Sequence, residues 1–277
     1  MTIKKWFSAI LLLLFVFSTI MPVCFAGEEA DAMLEEGWRY FQGDGVEQNQ
    51  PKGIAMMLKA AEDGSKNAML RLGYLCVYGQ GKFVSREYQE GSDAELAFEW
   101  FNKIAEAGDP EMAGATFISV GYNYLLGNDE GIPEDTALAV RCFERAEELG
   151  VYDANDVLAV FYTYGAIVDK DPDKALSLLL EGARAGVSIC EQAIEEYAYS
   201  YFAGTDEMLD INFETAFKYY EALTEFDNPR AMYNIGMLYA YGLGTAKDME
   251  KGIEWVQKAA DAGLDMAKEA LPGLKAA

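Results

Sequence analysis

The side chains able to do chemistry in this sequence are carboxylates, and what is missing around them limits their use. There is no histidine among the 277 residues, so Ser-His-Asp and Cys-His nucleophile pairs, imidazole bases and His-bearing zinc sites are all excluded. The serine-nucleophile motifs SxxK and GxSxG and the KTG triplet are absent too. With 46 Asp and Glu, carboxylate pairs for acid–base work are easy to assemble, and for that reason no particular pair stands out from a charged, solvated surface. Asp169-Lys170-Asp171-Pro172-Asp173 imitates the start of a calcium loop, but Lys174 stands where that loop needs glycine and Leu180 where it needs a bidentate Glu. That stretch, and Asn128-Asp129-Glu130, would at most attract a divalent ion weakly. No catalytic residue, metal centre or cofactor is expected.

The formal charge of −24 argues against nucleic acid and anionic lipid, which require clustered Lys and Arg, and it makes any electrostatically steered partner a cationic one. A hydrophobic fraction of 51% is enough for a sizeable core. Residues 1–26 read as an export signal: Lys4 and Lys5 precede an apolar run from Trp6 to Val23, and Cys24-Phe25-Ala26 offers a cleavage point. An uncleaved anchor is the alternative, and either places the bulk of the protein outside the cytoplasm, periplasmic or secreted, with no membrane integration after cleavage. Cys76, Cys142 and Cys190 remain beyond the signal, an odd number with no CxxC, and they read mainly as small buried apolar residues with room for one bridge at most.

What would position any site is a repeat. The string Ala231 to Gly242 recurs as Ala68 to Gly79, and six copies align on a final glycine at Gly43, Gly79, Gly127, Gly165, Gly204 and Gly242. The steps between them are 36, 48, 38, 39 and 38 residues, a solenoid period. The long step is explained by insertions at Lys82 to Ser92 and near Met112 to Ala115. A cap-type residue then starts a second helix in each copy: Asn49, Asp93, Asp135, Asp171, Asn212 or Asp248. Four positions on stands a small one, Gly53, Ala97, Ala139, Ala175, Ala216 or Gly252, ahead of an apolar stripe. Gly64, Gly108, Gly150, Gly186 and Gly263 close these helices, and Phe226 to Pro229 replaces that ending in the fifth copy. In the first helix Gly37, Gly73, Gly121 and Gly236, with Ala159 and Ala198 in the other copies, sit where glycine costs roughly 1 kcal/mol, so close helix approach must require them.

These motifs, clearest in Gly242-Leu243-Gly244, Asp248 to Gly252 and Trp255 to Ala260, resemble the Sel-1-like repeat family. The resemblance covers essentially the whole chain after the signal. It implies an all-α, right-handed superhelical solenoid of about six helix-turn-helix repeats, related in form to tetratricopeptide arrays and acting as an adaptor for proteins or peptides. The repeats fall at about 29–64, 65–108, 112–150, 151–186, 189–227 and 228–263, with a capping helix at 265–277. The Gly-x-Gly elements are inter-helix turns, since none completes a phosphate-binding loop. Some secreted relatives are associated with β-lactamase activity, but the missing serine motifs and the missing regular cysteine pairs speak against that transfer.

The position after the central small residue should line the inner groove, and it reads Trp38, Tyr74, Tyr122, Val160, Tyr199 and Met237; inter-repeat core is the competing use of such a stripe. Asp156 and Glu195, one turn earlier in their helices, add charge, and Tyr233 holds the equivalent place in the sixth copy. The expectation is a non-enzymatic, exported scaffold whose acidic, aromatic groove takes a protein or peptide, basic or amphipathic. A cell-envelope glycan-binding module is the alternative, and a hydrolase the weaker one.

Overall fold

A computed structural model of the chain describes residues 28–85, 93–127 and 132–276. The export signal, Arg86 to Ser92 of the insertion and the Asn128 to Glu130 cation candidate lie outside the described residues. Among those described, all regular structure is helical. The chain divides into two compact units, Met1–Arg71 and Leu72–Ala277.

The first unit holds α1 (Glu28–Gln42), α2 (Gln50–Glu62) and the opening of α3 (Lys66–Val77), whose second half belongs to the other unit. Asn49 caps α2 by accepting from the amide of Lys52 at 3.0 Å. Ser65, almost fully buried, starts α3 by accepting from the amide of Ala68, and its own hydroxyl donates to Asp31. Such caps are each worth about 1 kcal/mol.

In the second unit the chain continues through α4 (Gly81–Val84), α5 (Asp93–Glu106), α6 (Pro110–Leu126), α7 (Thr136–Glu148), α8 (Asn155–Tyr164), α9 (Pro172–Arg184) and α10 (Ser188–Ala203). It ends with α11 (Phe213–Leu223), α12 (Pro229–Tyr241), α13 (Met249–Asp261) and α14 (Asp265–Ala276). Asp135, Asp171, Asn212 and Asp248 cap their helices as expected. Asp93 differs: its carboxylate accepts from the amide of Gly81 at 2.7 Å and so ties the inserted turn α4 to the start of α5. The residues near Met112 lengthen α6 itself, which starts at Pro110 under an Asp109 cap. The predicted terminal helix forms and shares a core with α12 and α13 through Val256, Ala259, Ala267 and Leu274.

The turn between paired helices is set by one hydrogen bond. The amide of the cap residue donates to a tyrosine carbonyl of the preceding helix: Asn49 to Tyr40, Asp135 to Tyr124, Asp171 to Tyr162, Asn212 to Tyr201 and Asp248 to Tyr239. Where the two are nine residues apart, the turn needs a second left-handed residue, Gly45 (φ 68°), Gly244 (φ 70°) or Ile167 (φ 74°). Where they are eleven apart in the fully described loop of the fifth repeat, Gly204 is the one residue between them with positive φ. The fourth turn, degenerate in sequence, therefore keeps the tight geometry with a β-branched residue in a conformation such residues rarely adopt.

Close helix approach takes two forms. In α1 and α2 a Cβ on Gly53 would lie 2.5 Å from the carbonyl oxygen of Gly37, and Gly236 and Gly252 oppose each other similarly between α12 and α13. In the second and third repeats the glycine instead admits an aromatic ring, Phe101 against Gly73 and Phe143 against Gly121. Phe101 and Phe143 are fully buried, each worth about 2–3 kcal/mol of apolar transfer.

Candidate functional site

The aromatic stripe divides between core and surface. Tyr74 and Tyr122 are half-buried edge-on against Phe101 and Phe143, with ring centroids 5.6 and 5.2 Å apart, so each covers the ring that its neighbouring glycine admits. Burial raises both phenols. Trp38 stacks on Phe41 at 5.4 Å, with the Arg71 guanidinium 4.5 Å from its ring centre. Met237 packs against the core shared by α12, α13 and α14. Val160 is half-buried in α8. Asp156 is also half-buried, and its carboxyl is pushed up by desolvation and further by Asp153.

Glu195, Tyr199 and Tyr233 come together. They line a depression of about 540 Å³ between α10, α11 and α12, completed by Gln192, Glu196, Tyr220, Arg230, Asn234 and, from α14, Met266. Periodicity explains the convergence: Gln192, Glu195, Glu196 and Tyr199 occupy one face of α10, three and four residues apart, while Arg230, Tyr233 and Asn234 do the same on α12. Tyr199 is 52% exposed although it follows a buried alanine. On one wall, Glu195 accepts from Asn228 Nδ2 at 3.2 Å and from Arg230 Nη1 at 3.4 Å. Asn228 is fixed in turn as the α12 cap, its Oδ1 accepting from the amides of Arg230 and Ala231.

Tyr220 belongs to the same lining and was legible in sequence only as part of the apolar stripe of its helix. It is 1% exposed, and its hydroxyl has no hydrogen-bond partner. Desolvation raises the phenol, and the charge of Glu195 and then Tyr199 raise it further. Glu196, Arg230 and Met266 were also missed, because the single-position register rule samples one residue per helix whereas a depression is bounded by several. In the first unit a second depression, of about 600 Å³, lies between α1 and α2 and is lined by Met33, Met56, Glu36 and Lys59 among others; Trp38 is not part of it.

The remaining chemistry is absorbed by structure. Cys76, Cys142 and Cys190 are buried and free, and burial pushes each thiol up to about 12, so none is a ready thiolate at neutral pH. In the calcium-like stretch Asp171 caps α9 and Asp173 pairs with Lys218 at 2.8 Å. Among the described residues no group of His, Cys, Asp or Glu has the arrangement of a metal site, and no helix is long and apolar enough to cross a membrane.

The chain is 29% identical over 156 residues to the ERAD-associated E3 ubiquitin-protein ligase component HRD3 of Candida glabrata, covering 56% of this chain and 18% of that protein. It is 21% identical over 220 residues to the chitin synthase regulator SKT5 of Saccharomyces cerevisiae, covering 79% and 30%. It thus spans less than half the length of the curated relatives it matches. Among solved structures, a Sel1 repeat protein from Oxalobacter formigenes is 23% identical with a TM-score of 0.39, covering 88% of this chain and 76% of that one. The protective antigen c5321 of uropathogenic Escherichia coli is 24% identical with a TM-score of 0.37, covering 88% and 48%. The Sel1 repeat itself matches at residues 30–65, 66–109, 118–151, 153–187, 192–224 and 229–264, one match for each helix pair and together most of the chain, so the protein belongs to the Sel1 repeat family.

Proposed function

We propose that the protein is a non-enzymatic scaffold that binds a segment of another protein, and that the depression between α10, α11 and α12 is the contact site. The observation that carries this reading is the convergence of Glu195, Tyr199 and Tyr233 in one open concavity, with large aromatic area and carboxylates together. Tyrosines supply contact area at little entropic cost, and carboxylates at the rim select by charge. A chain of net charge −24 attracts basic segments and repels acidic ones. Family membership supports the adaptor reading, as do two relatives whose names describe a component and a regulator of larger enzyme systems.

The test is capture of partners by crosslinking in the native cell, followed by binding measurements with Tyr199→Ala and Tyr233→Ala. Affinity should fall roughly tenfold or more in the double variant, and should fall with added salt, while Tyr199→Ala alone, at the exposed ring, should weaken binding with little change in melting temperature. Unchanged affinity removes the site. The apolar run within residues 1–26 further supports an exported protein. N-terminal sequencing of protein from the extracytoplasmic fraction should begin at about Gly27, and recovery only from the cytoplasm would overturn export.

A further inference from the structure

The depression contains an anomaly that a simple contact surface leaves unexplained. Tyr220 is 1% exposed, its hydroxyl is sealed from bulk water without a partner, and the residue forms part of the depression's lining. Buried hydroxyls are satisfied as a rule; Tyr201 and Tyr220 both lack a partner, and of the two only Tyr220 lines the depression, where a ligand group could supply one. The charges around it say which group. Glu195 and Glu196 share the lining with the exposed ring of Tyr199 and with Tyr233, which is half-buried and also packs against the core of α12, α13 and α14. The cation already present, Arg230, reaches Glu195 only at 3.4 Å with its side chain 72% exposed, a loose and replaceable contact. Planar guanidinium suits this set better than ammonium, because it stacks on phenol rings, is weakly hydrated and donates in several directions at once.

We propose that the depression takes an arginine side chain of the partner segment, whose guanidinium stacks on Tyr199, donates to the Tyr220 hydroxyl as that ring turns toward it, and displaces Arg230 from Glu195. Arg230 is then a resident competitor that keeps the carboxylate neutralised until a partner arrives. This assignment rests on the reading of the depression as the partner site.

The probe is a short blocked peptide with one arginine between two leucines, titrated into the full chain and followed by NMR shifts, against the same peptide with uncharged, isosteric citrulline. The arginine peptide should bind about tenfold more tightly. Tyr220→Phe should weaken it several-fold without lowering the melting temperature, since only an unpartnered hydroxyl is lost. Arg230→Gln should strengthen it several-fold, a gain that a merely structural arginine does not produce. Equal binding of the two peptides overturns the proposal, as does an unchanged affinity in Tyr220→Phe. If that happens while Tyr199→Ala with Tyr233→Ala still abolishes binding, the site stands and only its arginine specificity falls. If the tyrosine pair also has no effect, both readings fall together.

Discussion

The fourth and sixth repeats share a turn and differ in their interiors. In the sixth, a Cβ on Gly252 would lie 2.8 Å from the Gly236 carbonyl oxygen and 2.9 Å from the Ala240 amide nitrogen, so backbone meets backbone. In the fourth, the matching positions are Ala159 and Ala175, both fully buried, and two methyls in place of two hydrogens require a wider crossing. The wider pair houses a polar contact: buried Asn155 donates to the carbonyl of Leu178 at 2.9 Å. The turns diverge in the opposite sense, with glycine at φ 70° in the sixth and isoleucine at φ 74° in the fourth. A small residue at the crossing is thus a choice of helix spacing, made separately in each pair, whereas the turn is imposed by its length whatever residue occupies it.

The contrast is broken most directly at the closer of these two crossings, that of the sixth repeat. Gly252→Ala should cost about 3 kcal/mol in urea unfolding, since backbone cannot step aside as a side chain can. A cost near zero would show that the sixth pair has slack and that the two repeats are alike.

The second repeat provides an intermediate case. Gly73→Ala should cost about 2 kcal/mol because its methyl strikes the Phe101 ring, and Phe101→Leu in the same chain should recover about 1 kcal/mol of that in a double-mutant cycle. Strict additivity would mean that the ring is not what excludes the methyl.

At the turns, Ile167→Gly should stabilise by about 1 kcal/mol, raising the melting temperature by about 3 °C, because the 63%-exposed side chain gives up little packing and the left-handed backbone is relieved. A lower melting temperature would mean that the isoleucine is held there by contacts that outweigh the strain.

The smallest effect concerns Asp156, a half-buried acid of α8. Burial raises the Asp156 carboxyl above its ordinary 3.8, with Asp153 adding to the shift. The folded state then holds this proton more tightly than the unfolded chain, so the contribution present at low pH is lost as pH rises through the folded value. Asp156→Asn should therefore raise stability at neutral pH, and its advantage over the parent should shrink as pH falls through the raised folded value and be lost below about 4. An advantage independent of pH would assign the effect to packing rather than to charge.

Much of this was legible in the sequence. The caps Asn49, Asp135, Asp171, Asn212 and Asp248, the closing glycines at Gly64, Gly108, Gly150, Gly186 and Gly263 with positive φ, and the terminal helix stand where local pattern put them, since each depends on residues a few positions away. The fourth turn was hidden because Gly165-Ala166-Ile167 lacks the second glycine, while the nine-residue closure from Asp171 to Tyr162 that demands the geometry becomes visible only in three dimensions. Of the eight residues expected in a binding groove, Glu195, Tyr199 and Tyr233 share one depression, Tyr233 while also packing on the core that takes Met237, whereas Tyr74 and Tyr122 pack against rings.

The sequence alone determined the repeat, its helix pairs, its acidic charge and the absence of histidine chemistry, because period, capping and composition are local or additive properties. Tertiary structure alone decided which glycine faces backbone and which faces a phenylalanine ring, which tyrosines are covered and which open. It also decided that Tyr220 ends beside a concavity with its hydroxyl unpaired. Those outcomes depend on the distance and rotation between helices far apart in the chain, and no periodicity within one helix encodes them.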